Sequence, residues 1–563
     1  MNERHIYARR RFLKTAGALL AAGSGASLLA ACQSTAPSGS ATAAPAAPAA
    51  TTAPATAASK PVATTAPAAQ PTSAAVAQPT AAPAVAAQAR PPAGELKVVT
   101  PEKVVSLDVQ GANSVDRSTH TYTRHVLEAL VTRDPTNNQL VPELATQWTT
   151  PDPNTWIFTL RKGVKFQDGA DFTSADVKAS LERTIAQKGP VAPLFAAVDT
   201  VDASDPATVR IQTKSPVGTL LSGLSLVRIA PAAKLSADGF WNKPIGTAPF
   251  RVVSWQPDAQ FQLEANPDYW GPPPGVKSLT FRDIPELAAR VTAIDTGEID
   301  LTFALPPDQI AGLQQNQNLK VDETKTFSYY FIWFNHSKAP FTDMRVRQAL
   351  WYALDIDTII KDLFSGIGQR AQAPIPSTVF GFAAQTPYAY DPAKAKQLLS
   401  DAGHPDGIDV DMIWNPGGGP QDRELAQALL SAWNQVGVRV KSREEERGIW
   451  LQDLLALNWD MDFQTNTVTT GDADFTLRRL YHSSAKRLGY ANQDLDKILD
   501  DAVATLDQQQ RQQLYAQANK IIWDNAVGIF PMELLTDWVQ RKQLSGFIPP
   551  PNEIPNLAPV RVS

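Results

Sequence analysis

The residues whose types suggest chemistry are one cysteine, six histidines, a run of three glutamates and a run of three glycines. Cys32, inside LLAACQS, is the sole thiol in 563 residues, so it has no disulfide partner in the chain and no thiolate cluster around a metal. Of His5, His120, His125, His336, His404 and His482, only His120 and His125 are close, at a spacing that fits neither one helical face nor a zinc motif. No metal and no cofactor is expected. The glutamates at 444–446 read as a solvated strand end, with a cationic solute as the alternative. The glycines in PGGGP (416–420) lie where backbone amides can hold an anion, yet match neither G-x-G-x-x-G nor a P-loop. Trp333, Trp414, Trp450 and Trp459 are candidates for stacking on a solute, Trp414 first because it ends a strand. Asn335 and Asn415 are candidates for hydrogen bonds to a polar solute. No nucleophile elbow, H-E-x-x-H or Cys/His arrangement appears, although a carboxylate pair leaves no signature and keeps an extracellular glycoside hydrolase open.

The flanks of Cys32 assign it a different role. ARRRFLK (8–14) and a short apolar run broken by Gly17, Gly23 and Gly25 have the layout of a secretory signal, too short and weak to span a membrane. Arg9 and Arg10 before x-Phe-Leu-Lys resemble a twin-arginine signal, with a Sec signal as the alternative. Leu29-Ala30-Ala31-Cys32 resembles a bacterial lipobox, which implies lipidation at Cys32 after cleavage of residues 1–31. Residues 33–89 are Ala, Pro and Thr with little else, and Lys60 is the one charge among them. Too few large apolar groups are present to offset ordering entropy, so 32–93 reads as a lipidated cysteine plus a disordered stalk.

The remaining 94–563 is too long for one core. Net charge is −5 with no basic run outside the signal, which argues against nucleic acid. LKVVT (96–100) predicts a strand and 121–131 a helix. Alternating Trp156, Phe158 and Leu160 predict a half-buried strand, and Thr173 with Asp176 predicts a helix cap. Asp391, Pro392 and Gly403 delimit another helix. From 409 to 464 the order is strand (409–414), helix (421–436), strand (438–444), helix (449–457), strand (460–464). Short links make this a parallel α/β unit with right-handed crossovers, and ligands gather beyond the C-terminal ends of such strands. Those ends carry WNPGGGP and TNTVTTGDAD.

LVPELATQWTTPDPNTWIFTLRKGVKFQDGADFTSADV, GTAPFRVVSW…NPDYWG, TGEIDL, FNHSKAPFTDMRVRQALWYALD and YDPAKAKQLLSDAG follow in order from about 95 to 550. With them the chain resembles the family 5 extracellular solute-binding proteins of ABC importers, the peptide and nickel receptors. Ala248 stands where the family usually has Gly. The resemblance implies an α/β fold, a two-lobed clamp of type II with an extra domain. By analogy lobe I takes 94–133, 225–325 and 536–563, the extra domain 134–224, and lobe II 326–535. It implies no enzymatic activity, but capture of a peptide or similar polar solute and delivery to a membrane permease with its ATPase subunits. The receptor is expected as a monomer, held at the cell envelope by its lipid; a sensory receptor is the alternative. Asn113 sits where lobe I of the family meets ligand. The family's aspartate for a peptide ammonium falls near Thr469, among Thr467, Thr469 and Asp472. The loop at 416–420 lacks the arginine with which dipeptide binders hold a carboxylate.

Overall fold

The computed structural model describes residues 90–563; Cys32, the signal and most of the stalk lie outside them. A 12-stranded sheet runs through these residues. Strands used below are β1 (Glu95–Val99), β2 (Phe250–Gln256), β3 (Gln260–Ala265), β4 (Ser278–Arg282), β5 (Leu301–Phe303), β6 (Leu319–Phe334), β7 (Ile408–Trp414), β8 (Val438–Glu444), β9 (Met461–Thr467) and β10 (Met532–Arg541). Their order is β8-β7-β9-β6-β10-β5-β1-β4-β3-β2. The long strands β6 and β10 pair antiparallel and carry the sheet from one half to the other.

The parallel unit forms as the sequence predicts. β7 pairs parallel with β8 and with β9, and Trp414 faces Glu444 on one side and Phe463 on the other. β9 continues to Thr467, past the expected end, because β6 offers it partners as far as Ser328. The helix Pro392–Asp401 starts on Asp391, whose side chain accepts from the Lys394 amide, and Gly403 follows it at φ +91°. Thr173 and Asp176 form the reciprocal cap of Ser174–Ala186. The helix expected over 121–131 is instead Arg117–Thr123. Asp116 caps it earlier, and Ala129 and Leu130 already exchange backbone bonds with 143–145. Val126 and Leu130 are buried without being helical.

Separate cores lie along the chain. One gathers Phe327 to Leu534, a second Leu130 to Ile229, and two smaller ones pack near β1 and β10. The NPDYWG motif is structural. Tyr269 Oη, Trp270 Nε1 and Thr247 Oγ1 donate to the Glu128 carboxylate at 2.9, 2.8 and 2.7 Å. Burial and the nearby Glu143 nonetheless push Glu128 up, to about 8. No helix among the described residues is long and apolar enough to cross a membrane.

Candidate functional site: two loops at the strand ends

Two loops leave the C-terminal ends of β7 and β9 side by side. The first, 415–420, leads into the helix α1 (Asp422–Gln435); the second, 468–473, leads into α2 (Asp474–Tyr481). The first packs closely on β9 and β6: a Cβ on Gly418 would lie 2.1 Å from Thr465 Oγ1, and one on Gly419 2.4 Å from the Tyr330 hydroxyl. Glycine is favoured there because the Thr465 and Tyr330 side chains occupy the space that a Cβ would need.

The glycine amides are already occupied. Asp422 Oδ2 accepts from the amides of Gly417, Gly418 and Gly419 at 2.7, 3.0 and 3.3 Å. Tyr330 Oη donates to Oδ1 at 2.7 Å. Burial pushes the Asp422 carboxyl up, and these four donors pull it back. The anion this nest holds is the chain's own. Beside it an open cavity of about 560 Å³ lies between 415–418 and 444–447. The glutamates there are engaged: Glu444 pairs with Arg423 at 2.5 Å, Glu445 with Arg443 at 2.9 Å, and Glu446 accepts from the Gly448 amide at 2.9 Å. Glu445 keeps one oxygen, Oε2, buried without a partner. A second cavity of about 640 Å³, around 430–434 and 439–441, is on the outer edge at β8, away from the strand ends.

In the second loop, Thr467 Oγ1 and Ser328 Oγ share a hydrogen bond of 2.8 Å. The Thr469 amide donates to the Thr467 carbonyl at 3.0 Å, leaving the half-buried Thr469 side chain with only a long contact of 3.5 Å to the same oxygen. Asp472 does not face a solute. Its side chain is 4% exposed and is neutralised by Arg511, whose Nη2 donates to both oxygens at 2.9 and 2.8 Å. Ser222 Oγ adds a third bond at 3.1 Å.

The other predicted residues divide. Trp333 is 1% exposed and gives its indole N–H to Tyr481 at 3.3 Å, so it is core. Trp459 is core too, bonded to the Leu454 carbonyl. Asn335 spends its amide on the carbonyls of Leu457 and Trp459, and its oxygen accepts from Ser337, leaving nothing for a solute. Trp414 is 4% exposed, donates to Ser442 Oγ at 3.0 Å and packs 6.1 Å from the Phe463 ring. Trp450 donates to the buried Asp462 at 2.9 Å. Asn415 stands at the cavity but donates to the Glu445 carbonyl at 2.9 Å. Asn113 is half-buried, its carbonyl accepts from the Asp116 amide, and no hydrogen bond joins it to either loop. His120 and His125 are pushed down to about 3 by burial and hydrogen-bond to backbone carbonyls. The roles of Tyr330, Ser328 and Asp422 were missed. Only Asp422 carried a local signal, an acid in the first helical turn behind three glycines.

Comparisons with known proteins place the chain in a family and a fold. Residues 139–487 match the family described as bacterial extracellular solute-binding proteins, family 5 Middle. The glutathione-binding protein GsiB of Salmonella typhimurium is 30% identical over 426 residues, 72% of this chain and 82% of that one. GsiB of Pectobacterium atrosepticum is 29% identical over 423 residues, again 72% and 82%. Among solved structures, HbpA2 from Haemophilus parasuis matches with TM-score 0.75 at 23% identity, over 84% of this chain and 100% of that one. CtaP from Listeria monocytogenes matches with TM-score 0.76 at 21% identity, over 84% and 99%. At these identities the structures speak to the fold, which is the α/β two-lobed fold of periplasmic binding proteins. A matched family model over more than half the chain identifies a binding protein and not an enzyme, which sets the hydrolase aside: the chain belongs to the bacterial extracellular solute-binding proteins of family 5.

Proposed function

We propose that this protein is a lipid-anchored receptor that captures a peptide-sized polar solute between its lobes and hands it to an ABC permease. The observation that carries the reading is the pair of strand-end loops. One is closed to outside anions by Asp422, and the other, with the last residue of β9, presents Thr469 and Thr467. The dipeptide-type anchors are absent: threonine stands at 469, and no arginine lies in 416–420. Such a surface suits a solute held by hydrogen bonds more than by its terminal charges. Thr467, Thr469, Asn113 and the exposed side of Asn415 are the contacts we assign to it. The naming of relatives for glutathione makes a short peptide of that size the first candidate. Cys32 supplies the anchor in this reading, and the Ala/Pro/Thr stretch holds the body off the membrane.

A ligand at 100 times its dissociation constant adds about 2.7 kcal/mol to the folded state. Thermal unfolding with glutathione and with a panel of di- to tetrapeptides should therefore reveal the solute as a raised midpoint. A flat response across the panel, with no turnover of any member, would remove the peptide reading. Palmitate labelling lost on Cys32→Ser checks the anchor.

A further inference from the structure

Two independent cores meet on the threonine loop. The core of 130–229 and that of 327–534 share no residue, and the ties that reach the loop from the first are polar. Arg133 donates through Nη2 to the Thr470 carbonyl and through Nη1 to the Asn138 carbonyl, the latter at 2.7 Å. Its guanidinium covers Gly471, where a methyl group would lie 2.9 Å from Cζ. Ser222, on the short helix Leu220–Leu224, reaches Asp472 across 250 positions of sequence. Nearby, the Gly218 amide donates to the Val503 carbonyl at 2.7 Å, so closely that a Cβ there would lie 1.9 Å from the Thr505 oxygen. Asn138 Nδ2 adds a bond to the Thr378 carbonyl at 2.9 Å.

Hydrogen-bonded contacts between separately cored units resemble interfaces that part and re-form. From its own side the loop is held by Arg511 on Asp472 and by backbone bonds of Val468 to Phe327 and of Gly471 and Ala473 to Phe380, none of which reaches the Thr470 carbonyl. Without the opposite module the Thr470 carbonyl loses its cation, and Gly471, at φ +65°, loses the cover that restricts it. We propose that Arg133 and Ser222 are positioning residues that set the 468–472 loop in its binding form only while the 130–229 module is docked. Solute capture and module docking then form one coupled equilibrium. The inference rests on the reading of Thr467 and Thr469 as solute contacts.

The test is amide hydrogen exchange on the full chain, wild type against the Arg133→Ala/Ser222→Ala double variant and Gly218→Ala. Without any probe, exchange over 468–473 should rise about tenfold in both, in the range of ordinary coupling free energies, while 329–334 stays protected. Glutathione, the probe, should bind about tenfold more weakly for the same reason, and Arg133→Lys should recover part of that loss. Unchanged exchange over 468–473 in the double variant overturns the proposal. If 329–334 loses protection too, the double variant is unfolding, and Gly218→Ala decides by the same local readout, because it wedges the interface at Thr505. Wild type that fails to bind glutathione counts against the proposed solute alone, since the exchange comparison is made without it.

Discussion

The loops after β7 and β9 are built from the same materials, small residues followed by an aspartate, and are fixed by opposite means. In 415–420 the aspartate turns back on its own loop, and Asp422 saturates three amides within five residues of itself, with Tyr330 of β6 as its distant partner. In 468–473 the aspartate turns away, and Asp472 is met by Arg511 and Ser222 from distant parts of the chain. The first loop is therefore held largely by bonds within itself. The second depends on contacts that lie elsewhere in the fold.

The largest effect is expected where the second loop is neutralised. Arg511 and Asp472 are both about 4% exposed, so Arg511→Met leaves a buried carboxylate without its cation. Breaking a buried pair from one side costs about 3–5 kcal/mol. Urea denaturation should show that loss, and a value under about 1 kcal/mol would mean that the pair is solvated and the contrast between the loops is false. Asp422→Ala comes next. It strands three amides and leaves the Tyr330 hydroxyl with the Pro420 carbonyl as its partner, and losing the partner of buried donors costs about 1–3 kcal/mol. The damage should stay local, with exchange rising over 415–422 and not over 468–473.

What could be read in advance follows the same division. Caps and periodicity are local, so Asp391 with Pro392, Thr173 with Asp176 and the three parallel strands were legible. The filled nest was nearly legible, since Asp422 follows the glycines closely. Tryptophans were misleading: Trp333 and Trp459 are apolar bulk for the core of 327–534, and their indole N–H groups are satisfied inside it. Asp472 lay beyond sequence reasoning altogether. Its partners stand 39 and 250 positions away, and neither Arg511 nor Ser222 carries any local mark of the contact. Helix 117–123 shows the remaining kind of error, in which an apolar pattern at Val126 and Leu130 marks burial without helix.

Titration separates the loops further. Asp474, at the start of α2, is pushed up to about 7 by burial and then by the neighbouring Asp472. An unfolded aspartate titrates near 3.9. Between about pH 4 and pH 7 the folded chain thus holds a proton that the unfolded chain has released, and stability falls as pH rises through that window. Asp474→Asn should flatten this slope, seen in urea midpoints taken at about pH 4.5, 6 and 7.5. An unaltered slope would locate the titration elsewhere, with the buried Glu128 as the next group to replace.

The smallest effect distinguishes two reasons for glycine within one loop. Gly417 sits at φ +91° with open space where a Cβ would stand, whereas Gly419 is closely covered by Tyr330 and Thr465. Gly417→Ala meets only the backbone penalty of the left-handed region, about 1 kcal/mol. Gly419→Ala must push aside the tyrosine that holds Asp422, and overpacking of that kind costs about 1–3 kcal/mol. Unfolding midpoints of the two variants should rank in that order, and Tyr330→Phe should shrink the difference by removing the hydroxyl oxygen that the methyl group meets. If Gly417→Ala proves the more damaging, the first loop is shaped by its backbone angles and not by its approach to β6 and β9, and its form would not come from the nest around Asp422.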